Sequence, residues 1–86
     1  MEIEIMPDAQ KDLDFWIKTG DKSVLKKIAQ LIEDILDNPF EGIGKPEPLK
    51  YSLKGTWSRR INHSNRLIYE VHNNKILIHS LKGHYD

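Results

Sequence analysis

NPFEGIGKPEPLK, residues Asn38 to Lys50, separates a first half that reads as helix from a second half that reads as sheet. It holds three of the chain's four prolines and two of its five glycines. Proline fixes φ, lacks an N–H and pushes the residue before it towards extended backbone. Glycine supplies the positive-φ positions that a winding loop needs. The stretch therefore reads as an ordered, stiff loop rather than a loose linker. Glu47 stands between Pro46 and Pro48, where its carboxylate has little local backbone freedom. Most loop glutamates are surface charge and nothing more. Whether Glu47 is more than that depends on what the rest of the chain brings to it.

Upstream of the loop, Glu2 to Met6 alternates charged and apolar residues, a short half-buried strand. Pro7 suits a first helical position, and Asp8 suits the positive end of the helix dipole. Ala9, Leu13, Trp16 and Ile17 lie at helical spacing, and Gly20 closes that helix. Asp21 or Ser23 caps a second helix. Its stripe of Val24, Leu25, Ile28, Leu31, Ile32, Ile35 and Leu36 runs over more than three turns. Asp37-Asn38-Pro39 stops it. Two helices joined by a short Gly-Asp turn form an antiparallel hairpin.

Downstream, Thr56 to Asn62, Asn65 to Val71 and Lys75 to Leu81 read as strands. His63-Ser64 and His72-Asn73-Asn74 are hairpin signals. The fold class is α+β: an N-terminal strand, a two-helix hairpin, then a twisted antiparallel meander with the helices on one sheet face. Its 86 residues make one domain, 1–86, with a modest core.

The net charge is zero, but it is unevenly spread. Residues 1–43 carry five lysines against ten acids, while residues 44–86 carry eight Lys and Arg against three acids. All three arginines and all four histidines fall in the second half. This asymmetry points to a basic face for a polyanion. There is no cysteine, which excludes a thiolate nucleophile or metal site and suits a reducing cytoplasm. The first ten residues lack the features of a signal peptide, and no apolar run is long enough for a membrane span. A cytoplasmic protein without membrane contact is expected.

Helices covering one sheet face leave polar residues to gather on the other. A two-residue turn at His63-Ser64 would put Arg59 on the face of Arg66. A three-residue turn would put Arg60 there instead. A one-residue slip exchanges the faces, and the residues alone leave both registers open. Glu47 and Lys50 belong at one edge of that face, and His84 and Tyr85 follow the last strand. Such a set can cut RNA without metal. A base takes the proton of a 2′-hydroxyl, which attacks the neighbouring phosphate. An acid protonates the departing 5′-oxygen, and cations stabilise the phosphorane. Arginine's planar fork suits the phosphate. His63 and His72 sit in turns and read as exposed, His79 as packed or at an edge, and Trp57 as an anchor for sheet or loop. The histidines have no helical i, i+4 pair, and no His-Glu-x-x-His or carboxylate cluster is present, so no metal is expected. Glycine-rich phosphate loops are missing too, so no nucleotide cofactor is expected.

The run Pro39-Phe40-Glu41-Gly42, Gly44-Lys45-Pro46-Glu47-Pro48-Leu49-Lys50, then Leu53-x-Gly55-x-Trp57-Ser58-Arg59-Arg60-Ile61, Arg66-Leu67-x-Tyr69 and a closing His84-Tyr85 closely resembles the YoeB family of bacterial toxins, within the RelE-like superfamily. The resemblance covers essentially the whole chain. It implies an endoribonuclease toxin of a type II toxin–antitoxin system that cleaves mRNA in the ribosomal A site. A cognate antitoxin would neutralise it, and a homodimer is compatible with the family. Carried over by motif position, Glu47 looks like the general base, His84 the general acid and Arg66 the phosphorane stabiliser. Lys50 and Arg60 would bind phosphate, and Tyr85 would position the RNA or the acid. The transfer favours the register that joins Arg60 to Arg66. The chain departs from the family at Lys82-Gly83, where an arginine and an aromatic are common, at Asp86, and at Met6, which replaces a common capping serine. The competing reading is a non-catalytic module that binds RNA, the ribosome or the antitoxin.

Overall fold

Pro7 and Gly20 bracket the first helix as the local rules require. In the computed structural model, which describes residues 1–83, β1 (Glu2–Ile5) leads into α1 (Pro7–Thr19). Gly20 closes α1 in the left-handed region, with φ 70°. Met6 precedes α1 without a side-chain cap, as its apolar side chain dictates. For α2 (Lys22–Asp37) the cap is Asp21, whose carboxylate accepts from the Val24 N–H at 3.1 Å. The stripe of α2 buries Val24, Ile28, Leu31 and Ile35, with Leu25 and Ile32 partly covered. Leu36 and, on α1, Ile17 are exposed instead. Each lies one residue beyond the covered arc of its helix, about 100° round the axis.

The second half forms β2 (Glu47–Pro48), β3 (Trp57–Arg60), β4 (Arg66–His72) and β5 (Lys75–Ser80). Sheet order is β1-β5-β4-β3-β2. The expected antiparallel meander is present from β2 to β5, but β1 joins it in parallel beside β5, so the sheet is mixed. Ile3 and Ile5 align with Ile76 and Ile78, which gives both apolar pairs a common covered face. Asn73 and Asn74, at φ 50° and 61°, make the two-residue turn between β4 and β5 that right-twisted strands favour.

The turn before β4 decides the register of the whole face. Asn62 turns its side-chain oxygen back onto the N–H groups of Ser64 and Asn65, at 3.0 and 2.9 Å. Ile61 closes the loop with an N–H to the Asn65 carbonyl at 3.0 Å. Arg60 is thereby paired with Arg66, and Arg59 with Leu67.

Arg59 consequently points under the helices, where it is fully buried. A buried guanidinium is tolerable only when its donors are met. Arginine has five N–H donors, and here every one has an acceptor. Nε meets the Tyr69 hydroxyl at 3.2 Å, and Nη1 meets Asp34 Oδ2 at 2.5 Å and the Ile43 carbonyl at 3.2 Å. Nη2 meets the carbonyls of Asn38 and Glu41 at 2.5 and 2.8 Å. Tyr69 in turn donates to the Pro39 carbonyl at 2.6 Å. One side chain on the sheet thus gathers the end of α2 and most of the loop that follows it.

The loop glycines fit this closure. Gly42 has φ 121°, and a Cβ there would lie 1.9 Å from Asp34 Oδ2. At Gly44 a Cβ would meet Leu31 Cδ2 at 2.7 Å. The hydrogen bond from Arg59, joined by one from the Ile43 N–H at 3.0 Å, holds the Asp34 carboxyl below the usual carboxylate range. Burial pushes the Tyr69 phenol up, and Arg59 opposes that shift. A lowered carboxyl pKa contributes stability above its ordinary value of about 3.9 and loses it as pH falls through the folded value.

Arg59→Met should therefore lose roughly 3–5 kcal/mol of folding stability in chemical denaturation, because Asp34 and three carbonyls lose their partner. Asp34→Asn should be destabilised at neutral pH. Its deficit relative to the parent should shrink below about pH 4, where the parent also loses its carboxylate.

Candidate active site

After Gly44 the loop runs beside β3 and becomes part of the sheet. The Arg60 N–H donates to the Gly44 carbonyl at 2.7 Å, Glu47 pairs with Ser58, and the Leu49 N–H donates to the Thr56 carbonyl at 2.9 Å. Pro46 and Pro48 are tolerated because β2 is the edge strand, where missing N–H groups face away from the ladder. Side chains alternate along a strand, and directly paired residues share a face. Glu47, Ser58, Arg60, Arg66 and Ile68 therefore occupy one face, opposite the helices. Glu47 lies two strands from Arg66 and two residues along, so their backbones are about 10 Å apart across the sheet and about 7 Å along it. That spacing lets two long side chains converge on one phosphodiester from opposite sides.

Arg66 is largely buried, and its Nη1 donates to the carbonyls of Asn62, His63 and Asn65 at 2.9 to 3.2 Å. The turn thereby fixes the guanidinium plane. Arg60 is exposed beside it, and Arg60, His63, Ser64 and Arg66 line a hollow of about 530 Å3. Lys50 is exposed and lines a smaller groove of about 230 Å3 together with Glu47. Arg60 and Arg66 share one hollow, and Glu47 and Lys50 share the neighbouring groove: guanidiniums that can seat a phosphate, and on the same sheet face a carboxylate that can act as a base.

Residues 81–83 are led to the same place. Leu81 is held by Asp12, which accepts its N–H at 2.9 Å, and by Trp16, whose indole donates to its carbonyl at 2.8 Å. Gly83 accepts from the Arg66 N–H at 2.8 Å and donates to the Asn65 side chain at 2.9 Å. His84 and Tyr85, the expected acid and its neighbour, lie outside the described residues. Trp57 packs against Phe40, with ring centroids 5.1 Å apart, and anchors the loop as expected. Lys82 stacks its ammonium on Phe15 at 4.3 Å.

Three features escaped the sequence reading. Arg59 is a structural rivet, and its alternation with Trp57 and Ile61 was the available signal. His63, read as a solvent-exposed turn residue, is exposed but lines the hollow with Arg60 and Arg66. His79 and Glu70 form a pair at 2.6 Å beside a register shift between β4 and β5, and no spacing rule reveals such a bulge. Among the described residues no group of three or more His, Cys, Asp or Glu is arranged to hold a metal.

The model of a family described as YoeB-like toxin of bacterial type II toxin-antitoxin system matches residues 5–85. Toxin YoeB of Synechocystis sp. is 51% identical over 70 residues, 81% of each chain. A solved YoeB/ParE toxin from Agrobacterium tumefaciens superimposes with a TM-score of 0.94 at 36% identity, covering 99% of this chain and 100% of that one. A heterotetrameric YoeB-YefM toxin–antitoxin complex from Staphylococcus aureus gives 0.87 at 46% identity, covering 99% and 98%. The chain belongs to the YoeB family of toxins of type II toxin–antitoxin systems, and its fold is RelE-like.

Arg66→Ala should cost more than about 1 kcal/mol in urea denaturation, since the turn carbonyls lose their donor. Arg60→Ala and Lys50→Ala should stay within about 0.5 kcal/mol of the parent, as exposed residues do. Equal losses at Arg60 and Arg66 would contradict the division between a clamped and an exposed arginine.

Proposed function

We propose that this toxin is a metal-independent endoribonuclease that cleaves mRNA in the ribosomal A site and so halts translation. The observation that carries the reading is the register: pairing of Glu47 with Ser58 and of Arg60 with Arg66 puts a carboxylate and two guanidiniums on the sheet face opposite the helices. Glu47 takes the proton of the 2′-hydroxyl, whose oxygen forms a new bond to the adjacent phosphorus. Arg66 stabilises the charge that builds on the phosphorane, with Lys50 and Arg60 holding the phosphate. His84 gives a proton to the 5′-oxygen as the old P–O bond breaks, and Tyr85 positions the RNA or that acid. Tethering of Gly83 to Arg66 supports the role of His84, which follows one peptide bond later.

Pre-set positions matter more here than unusual groups. An ordinary carboxylate can act as base if it is already aimed, because orientation removes entropy from the barrier. The paired prolines and the ladder to β3 supply that aim for Glu47.

The protein acts in the cytoplasm as a single domain, residues 1–86, and a cognate antitoxin neutralises it. The S. aureus relative bound to YefM supports that partner. A homodimer of the toxin fits the same family reading.

Growth arrest and primer extension on a reporter mRNA test this reading together. The parent should arrest growth and leave discrete cuts within the reading frame. Glu47→Gln, Arg66→Ala and His84→Gln should each slow cleavage by roughly 10²–10⁴-fold. Arrest without any cut would favour a non-catalytic binder, and three fully toxic variants would place the active site elsewhere.

A further inference from the structure

Tyr51 is used by neither the core nor the roles assigned above. The residue is 91% exposed, against 42% for Phe15 and 54% for Phe40. A single exposed aromatic needs no explanation. The backbone beneath this one does. Tyr51 sits at φ 59°, in the left-handed region that bulky side chains rarely occupy. Among the described residues, Lys45, Asn73 and Asn74 are the other non-glycine residues with positive φ. Asparagine tolerates that conformation through local hydrogen bonds, and glycine has no Cβ to clash. At position 51 either would be less strained than tyrosine. A strained backbone persists where surrounding structure enforces it, and such residues cluster at functional sites.

The enforcing structure is visible. Tyr51 opens a 3-10 turn, Tyr51–Leu53. The Leu53 N–H donates to the Lys50 carbonyl at 3.1 Å, and the Lys54 N–H donates to the Tyr51 carbonyl at 3.0 Å. The Thr56 hydroxyl and N–H both bind the Leu53 carbonyl, at 2.6 and 3.0 Å. The ring is thus presented by a hydrogen-bonded turn. It lines the groove of about 230 Å3 that also holds Glu47 and Lys50.

We infer that Tyr51 is a stacking platform for a nucleobase next to the scissile phosphate. This inference rests on the endoribonuclease reading and names how that site orients its substrate. A phenol ring offers a flat face to any base, and Lys50 beside it meets the backbone of the same nucleotide. Stacking one base there fixes the ribose relative to Glu47, so Tyr51 is a positioning residue and performs no proton transfer.

Single-turnover cleavage on mRNA-programmed ribosomes tests this, with thermal melting of each purified variant alongside. Tyr51→Phe and Tyr51→Trp should cleave within a few-fold of the parent. Tyr51→Leu and Tyr51→Asn should lose roughly 5- to 100-fold, the range that one base–aromatic stack supplies. Tyr51→Asn should melt at or above the parent temperature, because it relieves the left-handed strain. Undiminished cleavage by Tyr51→Asn and Tyr51→Leu would overturn the inference while leaving the nuclease reading intact. A Tyr51→Asn variant that loses cleavage only in step with melting would also overturn it, by showing a structural role. A parent protein that cuts nothing would overturn the nuclease reading and this inference with it.

Discussion

The Arg59 guanidinium, buried with all five donors satisfied, is the interaction on which the rest of the arrangement depends. Desolvating a guanidinium costs several kcal/mol unless its partners are complete. Its partners are the Asp34 carboxylate, the Tyr69 hydroxyl and three carbonyls from Asn38, Glu41 and Ile43. They come from α2, from β4 and from the loop that follows α2. The cost is met only when all three segments are in place, so the charge ties them cooperatively. Gly42 and Gly44 let the loop come close enough. Without that closure, residues 44–49 would have no reason to lie along β3, and Glu47 would be an ordinary loop carboxylate.

The same register that sends Arg59 inwards sends Arg60 and Arg66 outwards. Adjacent arginines thus divide the labour, one holding the loop and one facing solvent. A slip of one residue would exchange them, burying Arg60 and leaving the loop carbonyls without donors. Asn62 guards against that slip, because its side chain caps the turn that sets the pairing. Fold stability and the composition of the open face are therefore two consequences of one pairing choice. Tyr51 extends the logic to the far end of β2, where a hydrogen-bonded turn holds an aromatic in a conformation it would not choose.

Much of this was legible in the amino-acid sequence. Helix ends followed from Pro7, Gly20 and the pair Asp21 and Ser23, of which Asp21 is the cap, and the apolar stripe of α2 was read almost residue by residue. The strands of the meander fell where alternation and turn residues put them. Less legible were pairings that depend on distant segments. Parallel addition of β1 beside β5 leaves no local mark, since an edge strand reads alike in either direction. For Arg59 the residues left the inner and the outer face both open, and its five acceptors come from positions 34 to 43 and from Tyr69. The membership of the open face was recoverable only as two alternatives, which a family likeness, not residue spacing, could rank. The left-handed backbone at Tyr51 is set by a hydrogen-bonded turn within residues 50–56, and nothing about a tyrosine at that position marks it in the sequence.

The chemistry proposed for the open face starts with a proton removed from a 2′-hydroxyl by a pre-aimed carboxylate. The products of that attack differ from those of water-driven hydrolysis. The most direct measurement is the chemical nature of the ends at the cut, on ribosome-bound mRNA with the purified toxin. The account predicts a 2′,3′-cyclic phosphate, or the 3′-phosphate it opens to, facing a 5′-hydroxyl, and no cut where the attacking nucleotide carries 2′-deoxyribose. A 5′-phosphate at the cut, or normal cleavage of the 2′-deoxy substrate, would contradict it.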